Sequence, residues 1–245
     1  MNDVKLAAAI AREAGELLIR IRQTCGEEGK ALGKRGDAEA NALIIERLRA
    51  ARPDDSVLSE EMKDDQKRCS ASRVWIVDPL DGTREYSEHR DDWAVHIALA
   101  IDGRPAIGAV ALPDRGVVFD SESVDPPMAR RLGRPRIVVS RTRPPKSAMQ
   151  VARVLDAEVI PMGSAGAKAM AVVDGRAEIY LHAGGQYEWD NCAPAAVASA
   201  AGLHVTRLDG SPLVYNRPDP MLPDLLICGA ALAGPVLQAL GCSGG

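Results

Sequence analysis

The sequence of 245 residues predicts a mixed fold in which an α+β half is followed by an α/β half. Three observations carry this prediction. The chain begins with two stretches whose apolar residues recur at helical spacing. Apolar runs separated by turn sequences then follow the segment "RVWIV", as in an antiparallel meander. Beyond residue 135, strand-like apolar runs alternate with helical patterns.

The first half is predicted to start with an amphipathic helix over "MNDVKLAAAIAREAGELLIRIRQ". Charged residues interrupt its apolar pattern, which excludes a signal-peptide core and a membrane span. A second helix is expected at residues 38–49, with Asp37 at its start and Pro53 beyond its end. "SVLS" predicts a brief strand leading to Glu60 and Glu61, and "RVWIV" predicts the next strand. "WAVHIALAIDGRPAIGAVALPDRGVVFD" then predicts three strands joined by tight turns.

A polar, proline-containing stretch at residues 121–135 marks the expected boundary between two subdomains. Residues 1–132 would form the N-terminal α+β subdomain with the acidic motifs described below. Residues 133–245 would form the C-terminal α/β subdomain with the substrate pocket. The second subdomain is predicted from the series strand "RIVVS", a helix near residues 145–155, strand "EVIPM", helix "SAGAKAMAVVDG", strand "AEIYLH" and helix "NCAPAAVASAAG".

The composition excludes several classes of protein. With 46% hydrophobic residues the chain can bury a large core. Its 30 basic and 34 acidic residues give a net charge of -4, so no global charge recruits a nucleic-acid polymer or an anionic membrane. The cysteines are scattered and lack a C-x-x-C pair, which argues against a disulfide framework or structural zinc and favours the cytoplasm. They are Cys25, Cys69, Cys192, Cys228 and Cys242.

The most informative stretch is "WIVDPLDGTREY" at residues 75–86, where two aspartates end an apolar run. Pro79 fixes its own φ and favours an extended Asp78, so the loop can bring Asp78 and Asp81 toward one point. If Glu60 joins them from the end of another strand, the clustered anions must either take up protons or bind cations. Oxygen-only ligands select a hard cation, with Mg²⁺ as the first expectation and Mn²⁺ as the second.

Gly82 and Thr83 follow these carboxylates directly. Backbone N–H groups at the start of a helix can bind phosphate oxygens, and a hydroxyl can orient water. Carboxylates, a metal ion and an anion cradle together indicate the hydrolysis of a phosphate ester.

Each feature also has a structural interpretation of its own. Asp-Pro-x-Asp-Gly is an ordinary turn composition, and Asp37 and Asp190 could simply cap helices. The histidines are isolated and are interpreted as structural or surface residues. "GSAGAK" at residues 163–168 lacks the Gly-Lys-Ser/Thr ending of a nucleoside-triphosphate loop. It can still present amides to an anion, with Lys168 as a countercharge, or be a plain turn with an exposed lysine.

In their order along the chain, "SEE" at residues 59–61, "WIVDPLDGTREY" and "EWDNCAPAA" resemble the magnesium-dependent, lithium-sensitive phosphatase superfamily of inositol monophosphatases and bisphosphate nucleotidases. The resemblance covers nearly the whole chain and implies the layered αβαβα sandwich of that fold. "DDWAVHIAL", "GSAGAKAMAVVDG", "YLHAGGQYEWD" and "LDGSPLVYN" are most similar to the actinobacterial branch of the CysQ family. Members of that branch remove the 3'-phosphate of adenosine 3',5'-bisphosphate.

The resemblance implies the metal ligands residue by residue. Glu60, Asp78 and the carbonyl oxygen of Leu80 would hold one Mg²⁺, and Asp78, Asp81 and Asp190 would hold a second, so that Asp78 bridges the two. Two such ions lower the pKa of bound water and stabilise the attacking and leaving oxygens of an in-line displacement. A third, weaker ion is an open alternative.

The resemblance also implies catalytic and substrate-binding residues. Asp37 would help to position or deprotonate the attacking water, and Thr83 would orient it. The substrate-binding set implied is Gly82, Thr83, Ser164, Lys168 and Asp190.

Two departures from the family pattern affect these expectations. Family members commonly carry Ser-Pro-Val-Thr before the aspartate of the second helix, whereas this chain has "GKRGD", which puts the third metal in doubt. Animal inositol monophosphatases place an inositol-binding glutamate seven residues before the Trp-Asp aspartate, where this chain has Ala183. Nucleotide recognition is favoured by that loss.

The leading hypothesis is therefore a Mg²⁺-dependent phosphatase that converts adenosine 3',5'-bisphosphate to AMP and phosphate, with the sulfated nucleotide as a further substrate and a place in sulfur assimilation. A broader inositol monophosphatase or fructose-1,6-bisphosphatase is the enzymatic alternative. A non-hydrolytic, metal-dependent nucleotide sensor is the alternative of another class. The expected partner is a small-molecule phosphate ester, and a homodimer stays open.

Overall fold

The computed structural model describes residues 1–127 and 133–241. Its helices are α1 (Asp3–Thr24), α2 (Gly29–Ala51), α3 (Thr83–Ser87), α4 (Lys146–Val154), α5 (Ala165–Val173), α6 (Glu188–Ala200) and α7 (Ala230–Ala239). Its strands are β1 (Ser56–Ser59), β2 (Arg73–Asp81), β3 (Ala94–Ile101), β4 (Arg104–Leu112), β5 (Val117–Asp120), β6 (Arg136–Ser140), β7 (Glu158–Met162), β8 (Ile179–Tyr187), β9 (His204–Thr206) and β10 (Met221–Cys228).

The strands form two sheets. The first has the order β1-β2-β3-β4-β5, in which β1 runs parallel to β2 and the other pairs are antiparallel. The second has the order β7-β6-β8-β10-β9, in which β6 is parallel to β7 and β8, and β10 is antiparallel to both of its neighbours. The predicted meander after "RVWIV" is confirmed as β3, β4 and β5.

Helices and sheets stack in five layers. Strand alternation puts Trp75 and Val77 of β2 against α1 and α2, and turns Val74 and Ile76 into a central core shared with α5, α6 and the second sheet. On the far side of the second sheet, Leu181 of β8 packs with residues of α4 and α7. The order is therefore α1/α2, first sheet, α5/α6, second sheet, α4/α7. This confirms the expected αβαβα sandwich.

Two predicted helix starts were wrong. Helix α2 begins at Gly29, so Asp37 lies inside the helix and does not cap it. The added residues include Gly33 and Gly36, where an added Cβ would lie 2.6 Å from Thr83 Cγ2 and 3.0 Å from Leu18 Cδ2 respectively. Helix α6 begins at Glu188 with Tyr187 as its N-cap, so Asp190 lies in the first turn instead of at the cap. Sequence reasoning also assigned no elements corresponding to β9, β10 and α7.

The subdomain boundary expected at residues 132 and 133 falls partly outside the described residues. Strand β5 ends before it at Asp120 and β6 begins after it at Arg136. Cys25, Cys69, Cys192 and Cys228 are free thiols, and Cys242 lies outside the described residues. Among residues 1–127 and 133–241, no helix combines the length and the apolarity needed to cross a bilayer.

Candidate active site

A β-bulge at the end of β2 brings its two aspartates to one side of the sheet. Asp78 pairs with His96 of β3 and Asp81 pairs with Ala94, so β2 has one more residue than β3 between these pairs. Without that residue, two positions three apart would point to opposite faces of the strand. Pro79 occupies the bulge, where a missing N–H does not break the ladder. Both buried carboxylates therefore face the central layer.

Asp81 is bound by the N-terminal turn of α5. Its Oδ2 accepts hydrogen bonds of 2.6 Å from the Ser164 hydroxyl and 2.6 Å from the Gly166 amide, and its Oδ1 accepts one of 3.1 Å from the Ala165 amide. Ser164 is the N-cap of α5 and also accepts a 2.9 Å bond from the Ala167 amide. This turn therefore joins the end of β2 in the first sheet to a helix of the central layer.

Asp190 reaches the same place from α6. Its Oδ2 accepts a 2.6 Å hydrogen bond from the Tyr187 amide, which fixes the carboxylate in the first turn of the helix. One oxygen from each of Asp78, Asp81 and Asp190 lies within 4.8 Å of the others. This acidic cluster, made of Asp78, Asp81 and Asp190, can hold a metal ion.

Glu60 follows β1, which runs parallel to β2, and its amide donates a 3.3 Å bond to the Val77 carbonyl. Much of the Glu60 residue is exposed, but its carboxyl group is surrounded by protein and by other carboxylates. Burial first, and then the charges of Asp190 and Asp37, raise its pKa to about 7. Glu60 therefore lies beside the acidic cluster at its solvent side.

Asp37 and Thr83 form a second group next to the cluster. The Thr83 hydroxyl lies 3.1 Å from the Leu80 carbonyl oxygen and 3.4 Å from Asp37 Oδ1. Burial and the charge of Glu61 raise the pKa of Asp37 to about 7, although the bond from Thr83 opposes this. The close packing of α2 on α3 places these two side chains together, because an added Cβ at Gly33 would lie 2.6 Å from Thr83 Cγ2.

The electrostatics separate Asp81 from the other carboxylates. Burial alone would raise the pKa of Asp81, but His96, Ser164 and the Gly166 amide lower it below its ordinary value.

Burial and the neighbouring carboxylates raise the pKa of Asp78 well above its ordinary value, and burial and Asp81 raise that of Asp190 to about 6. Such mutual repulsion is relieved by bound cations, and the donor set is all oxygen, so the site fits a hard metal cation.

Gly82 lies between the carboxylates and the α5 turn. Its φ of 90° is in the left-handed region, and an added Cβ would lie 3.1 Å from Ser164 Cβ and 3.2 Å from Trp93 Cβ. Glycine therefore allows both the turn into α3 and its close approach to Ser164.

Lys168 is buried beneath this turn. Its Nζ donates to the carbonyl oxygens of Gly163 and Ser164 and lies 5.4 Å from the centre of the Tyr180 ring. Burial lowers its pKa to about 8. The structure thus brings Lys168 to the turn that binds Asp81, where its ammonium group is engaged by the backbone.

Sequence reasoning missed one residue of the site, because it interpreted the histidines as structural or surface residues. His96 is fully buried beside the acidic cluster, with its Nε2 3.2 Å from Asp81 Oδ2. Burial favours the neutral imidazole, but the Asp81 carboxylate outweighs it and raises the pKa of His96. The available signal was its place on the strand that follows the Asp-Pro-x-Asp motif.

Comparison with known proteins agrees with this geometry. The model of the inositol monophosphatase family matches residues 2–239. The 3'-phosphoadenosine 5'-phosphate phosphatase of Mycobacterium leprae (strain TN) is 53% identical over 252 residues, covering 97% of this chain and 92% of that protein. The 3'(2'),5'-bisphosphate nucleotidase CysQ of Escherichia coli (strain K12) is 30% identical over 224 residues, covering 84% and 91%.

Solved structures show the same fold. CysQ from Bacteroides thetaiotaomicron superposes with a TM-score of 0.80 at 26% identity, covering 93% of this chain and 97% of that one. Inositol monophosphatase II from Staphylococcus aureus gives a TM-score of 0.82 at 21% identity, covering 96% and 93%. The chain therefore belongs to the inositol monophosphatase family.

Proposed function

We propose that this protein is a Mg²⁺-dependent phosphatase that hydrolyses the 3'-phosphate of adenosine 3',5'-bisphosphate to give AMP and phosphate. The observation that carries the proposal is the 53% identity, across 97% of the chain, to a protein named for this activity. The acidic cluster supports it, because oxygen ligands at this spacing suit a hard divalent cation. The sulfated nucleotide is proposed as a further substrate, and Mn²⁺ as a substitute for Mg²⁺.

Glu60, Asp78, Asp81, Asp190 and the Leu80 carbonyl oxygen are proposed as the ligands of two metal ions. When bound, these ions would supply charge neutralisation for the phosphate and acidify a water molecule. Asp81 is the ligand best prepared to stay ionised, since three hydrogen bonds from the α5 turn stabilise its charge. A third ion stays an alternative to two, because "GKRGD" stands where family members commonly carry Ser-Pro-Val-Thr.

The chain's own residues then hold and move the proton of the attacking water. Asp37 is proposed as the acceptor, because a carboxyl group with a pKa of about 7 can exchange a proton near neutral pH. The Thr83 hydroxyl is shared between Asp37 and Leu80 and is proposed to orient the water. The amides of Gly82 and Thr83, with Ser164, are proposed to surround the phosphate. Asp190 is proposed to meet the substrate through the metal it helps to hold, and Lys168, whose ammonium group donates to backbone carbonyl oxygens, to support the turn beside the phosphate.

The proposed partner is a small-molecule phosphate ester, and the proposed compartment is the cytoplasm. A homodimer is an alternative to a monomer, and sedimentation velocity distinguishes the two. The N-terminal and C-terminal subdomains, residues 1–132 and 133–245, are proposed to contribute the carboxylate motif and most of the substrate pocket respectively.

Phosphate release from adenosine 3',5'-bisphosphate, inositol 1-phosphate and fructose 1,6-bisphosphate, with and without Mg²⁺, tests the proposal. We expect the highest kcat/KM for the nucleotide, and no turnover without metal. Asp81→Asn should lower kcat/KM by about 100-fold or more, because one ligand oxygen is lost. Asp54→Asn, at an exposed turn before β1, is the matched control and should leave it unchanged.

Preferred turnover of inositol 1-phosphate or fructose 1,6-bisphosphate would contradict the proposed substrate and support the broader phosphatase. Tight, Mg²⁺-dependent nucleotide binding without any phosphate release would support a nucleotide sensor instead.

A further inference from the structure

His96 contacts two of the segments that carry the acidic cluster. Its Nε2 lies 3.2 Å from Asp81 Oδ2, and its Nδ1 lies 3.0 Å from the Trp189 carbonyl oxygen, the residue directly before Asp190. On β3 it is also the cross-strand partner of Asp78. His96 is thus in contact with Asp81 and with the residue before Asp190, and it pairs with Asp78 across the two strands.

The ring is enclosed on every side. His96 has no exposed surface, and an added Cβ at Gly166 would lie 2.2 Å from its Nε2. The first turn of α5, which donates its amides to Asp81, therefore packs against the same ring. A buried imidazole in such a space has few alternative rotamers. It therefore fixes the distance between the end of β2 and the first turns of α5 and α6.

Both contacts of His96 are made with parts of the proposed metal site. One partner is a carboxylate oxygen proposed to bind metal, and the other is the backbone carbonyl at the start of the helix that presents Asp190. His96 Nε2 approaches Asp81 Oδ2 as an ion-pair contact, without an aligned hydrogen bond. Side chains that hold metal ligands in place orient them, and their loss typically weakens metal binding by about 10–100-fold.

We propose that His96 is a positioning residue that holds Asp81 and the Trp189–Asp190 segment at the separation needed for a shared divalent cation. The inference rests on the proposed function only in taking the acidic cluster as a Mg²⁺ site, and it is independent of the organic part of the substrate.

The two amide substitutions of His96 separate its contacts. In His96→Asn the amide nitrogen takes roughly the place of Nδ1, so the bond to the Trp189 carbonyl can persist while the contact with Asp81 is lost. In His96→Gln the longer side chain reaches roughly the place of Nε2, so the contact with Asp81 can persist. His204→Asn is the matched control, since His204 lies in β9 and contacts Thr206 within its own strand.

Calorimetric titration of the metal-free proteins with Mn²⁺ is the decisive measurement. We expect His96→Asn to weaken the binding of Mn²⁺ by about 10–100-fold, His96→Gln to weaken it less, and His204→Asn to leave it unchanged. Turnover of adenosine 3',5'-bisphosphate should recover at high Mg²⁺ in both His96 variants, so that the Mg²⁺ dependence shifts more than kcat does.

Unchanged Mn²⁺ affinity in both His96 variants would overturn the inference, whatever happens to the melting temperature. Wild-type protein that binds no Mn²⁺ would overturn it as well. If His96→Asn fails to fold, His96→Gln and Gly166→Ala, which crowds the ring, carry the test. Wild-type protein that binds Mn²⁺ but does not cleave the nucleotide would contradict the proposed function and leave the positioning role of His96 intact.

Discussion

Single residues of the site differ chiefly in what stabilises their charge. Asp81 accepts hydrogen bonds from the α5 turn and stays ionised, whereas Asp78, Asp190 and Glu60 face one another with raised pKa values. In the metal-free protein, protons therefore reside on Asp78, Asp190 and Glu60 and not on Asp81. A divalent cation has to displace them, because metal ligands must be deprotonated.

Metal binding is expected to release protons at mildly acidic pH. Asp190 has a pKa of about 6 and Glu60 one of about 7, so at pH 6 both carry protons part of the time and at pH 8.5 neither does. Mn²⁺ titrations in buffers of different ionisation enthalpy should therefore show net proton release that is larger at pH 6 than at pH 8.5. Equal enthalpies in all buffers at pH 6 would contradict this assignment.

The Thr83 hydroxyl is expected to matter for turnover more than for folding. Thr83→Val keeps the methyl group that packs on α2 and removes the hydroxyl between Asp37 and Leu80, so kcat should fall by about 100-fold or more. Thr83→Ser keeps the hydroxyl and should lie within about tenfold of wild type. Equal kcat values for the two variants, measured at saturating substrate and Mg²⁺, would rule out a role for the hydroxyl.

Among the elements, α2 shows how packing overrides local propensity. Glycine weakens a helix interior, yet α2 contains Gly33 and Gly36 because α3 and the end of β2 lie against it. The approach places Asp37 within reach of Thr83. A helix that looks weak in isolation is thus the support of the proposed water-binding group.

Gly33→Ala should disturb this contact. Its Cβ would lie 2.6 Å from Thr83 Cγ2 and 2.7 Å from Ser87 Oγ, so we expect a loss of about 1–3 kcal/mol in unfolding free energy and a lower kcat. Gly234→Ala in α7 is the matched control, because its Cβ meets nothing within 4 Å and should leave stability equal or up to about 1 kcal/mol higher. Urea unfolding and steady-state kinetics of both variants measure the difference, and equal stabilities would show that α3 adapts without strain.

Hydrophobic periodicity predicted most elements, because long apolar patterns reflect burial on one face. It could not predict α2 from Gly29 onward. The glycines in that part of the helix allow the close approach of α3, which is distant in sequence. Periodicity also left His96 as a structural residue, because its place beside the acidic cluster comes from the cross-strand register with Asp78 and from the contact with Trp189, which the sequence does not display. Asp78 and Asp81 were found because their spacing is local, although the bulge that orients them is a property of the paired strands. Asp190 and Glu60 were assigned as ligands through the family resemblance.

At the scale of the whole molecule, both sheets contribute carboxylates to the candidate active site. Asp78 and Asp81 come from the first sheet, and Asp190 from the helix that directly follows β8 of the second. A shared core of small and aliphatic side chains lies between the sheets. The packing of this core holds the carboxylates close together, although their negative charges repel one another. The stability of the metal-free protein should therefore depend on pH.

The sign of that dependence follows from the raised pKa values. In the folded protein the pKa is about 7 for Asp37 and Glu60 and about 6 for Asp190, whereas the ordinary pKa is 3.8 for aspartate and 4.5 for glutamate. Between the ordinary and the raised values, the folded state therefore binds more protons than the unfolded state. Stability is then lost as pH rises from about 4 to about 7. The melting temperature of the metal-free protein should fall between pH 5 and pH 8, and a rise over this interval would contradict the assignment.

Mg²⁺ should reverse this trend. At about 100 times its dissociation constant, a ligand adds about 2.7 kcal/mol, which corresponds to a rise of about 5–10 °C in the melting temperature of a protein of this size. The increase should be larger at pH 8 than at pH 5, where protons compete for the same oxygens. Differential scanning calorimetry with Mg²⁺ and, as a control for ionic strength, with Na⁺ measures both effects.

The origin of the acidic cluster in two sheets has a further consequence. An ion held by Asp78, Asp81 and Asp190 would tie together chain positions on the order of 100 residues apart, and so would act as a reversible cross-link. Pulling the chain from its two ends should then meet a mechanical lock at this point, which chelation opens. The same carboxylates that are proposed to handle the phosphate would thereby couple the mechanical resistance of the enzyme to the supply of divalent cations.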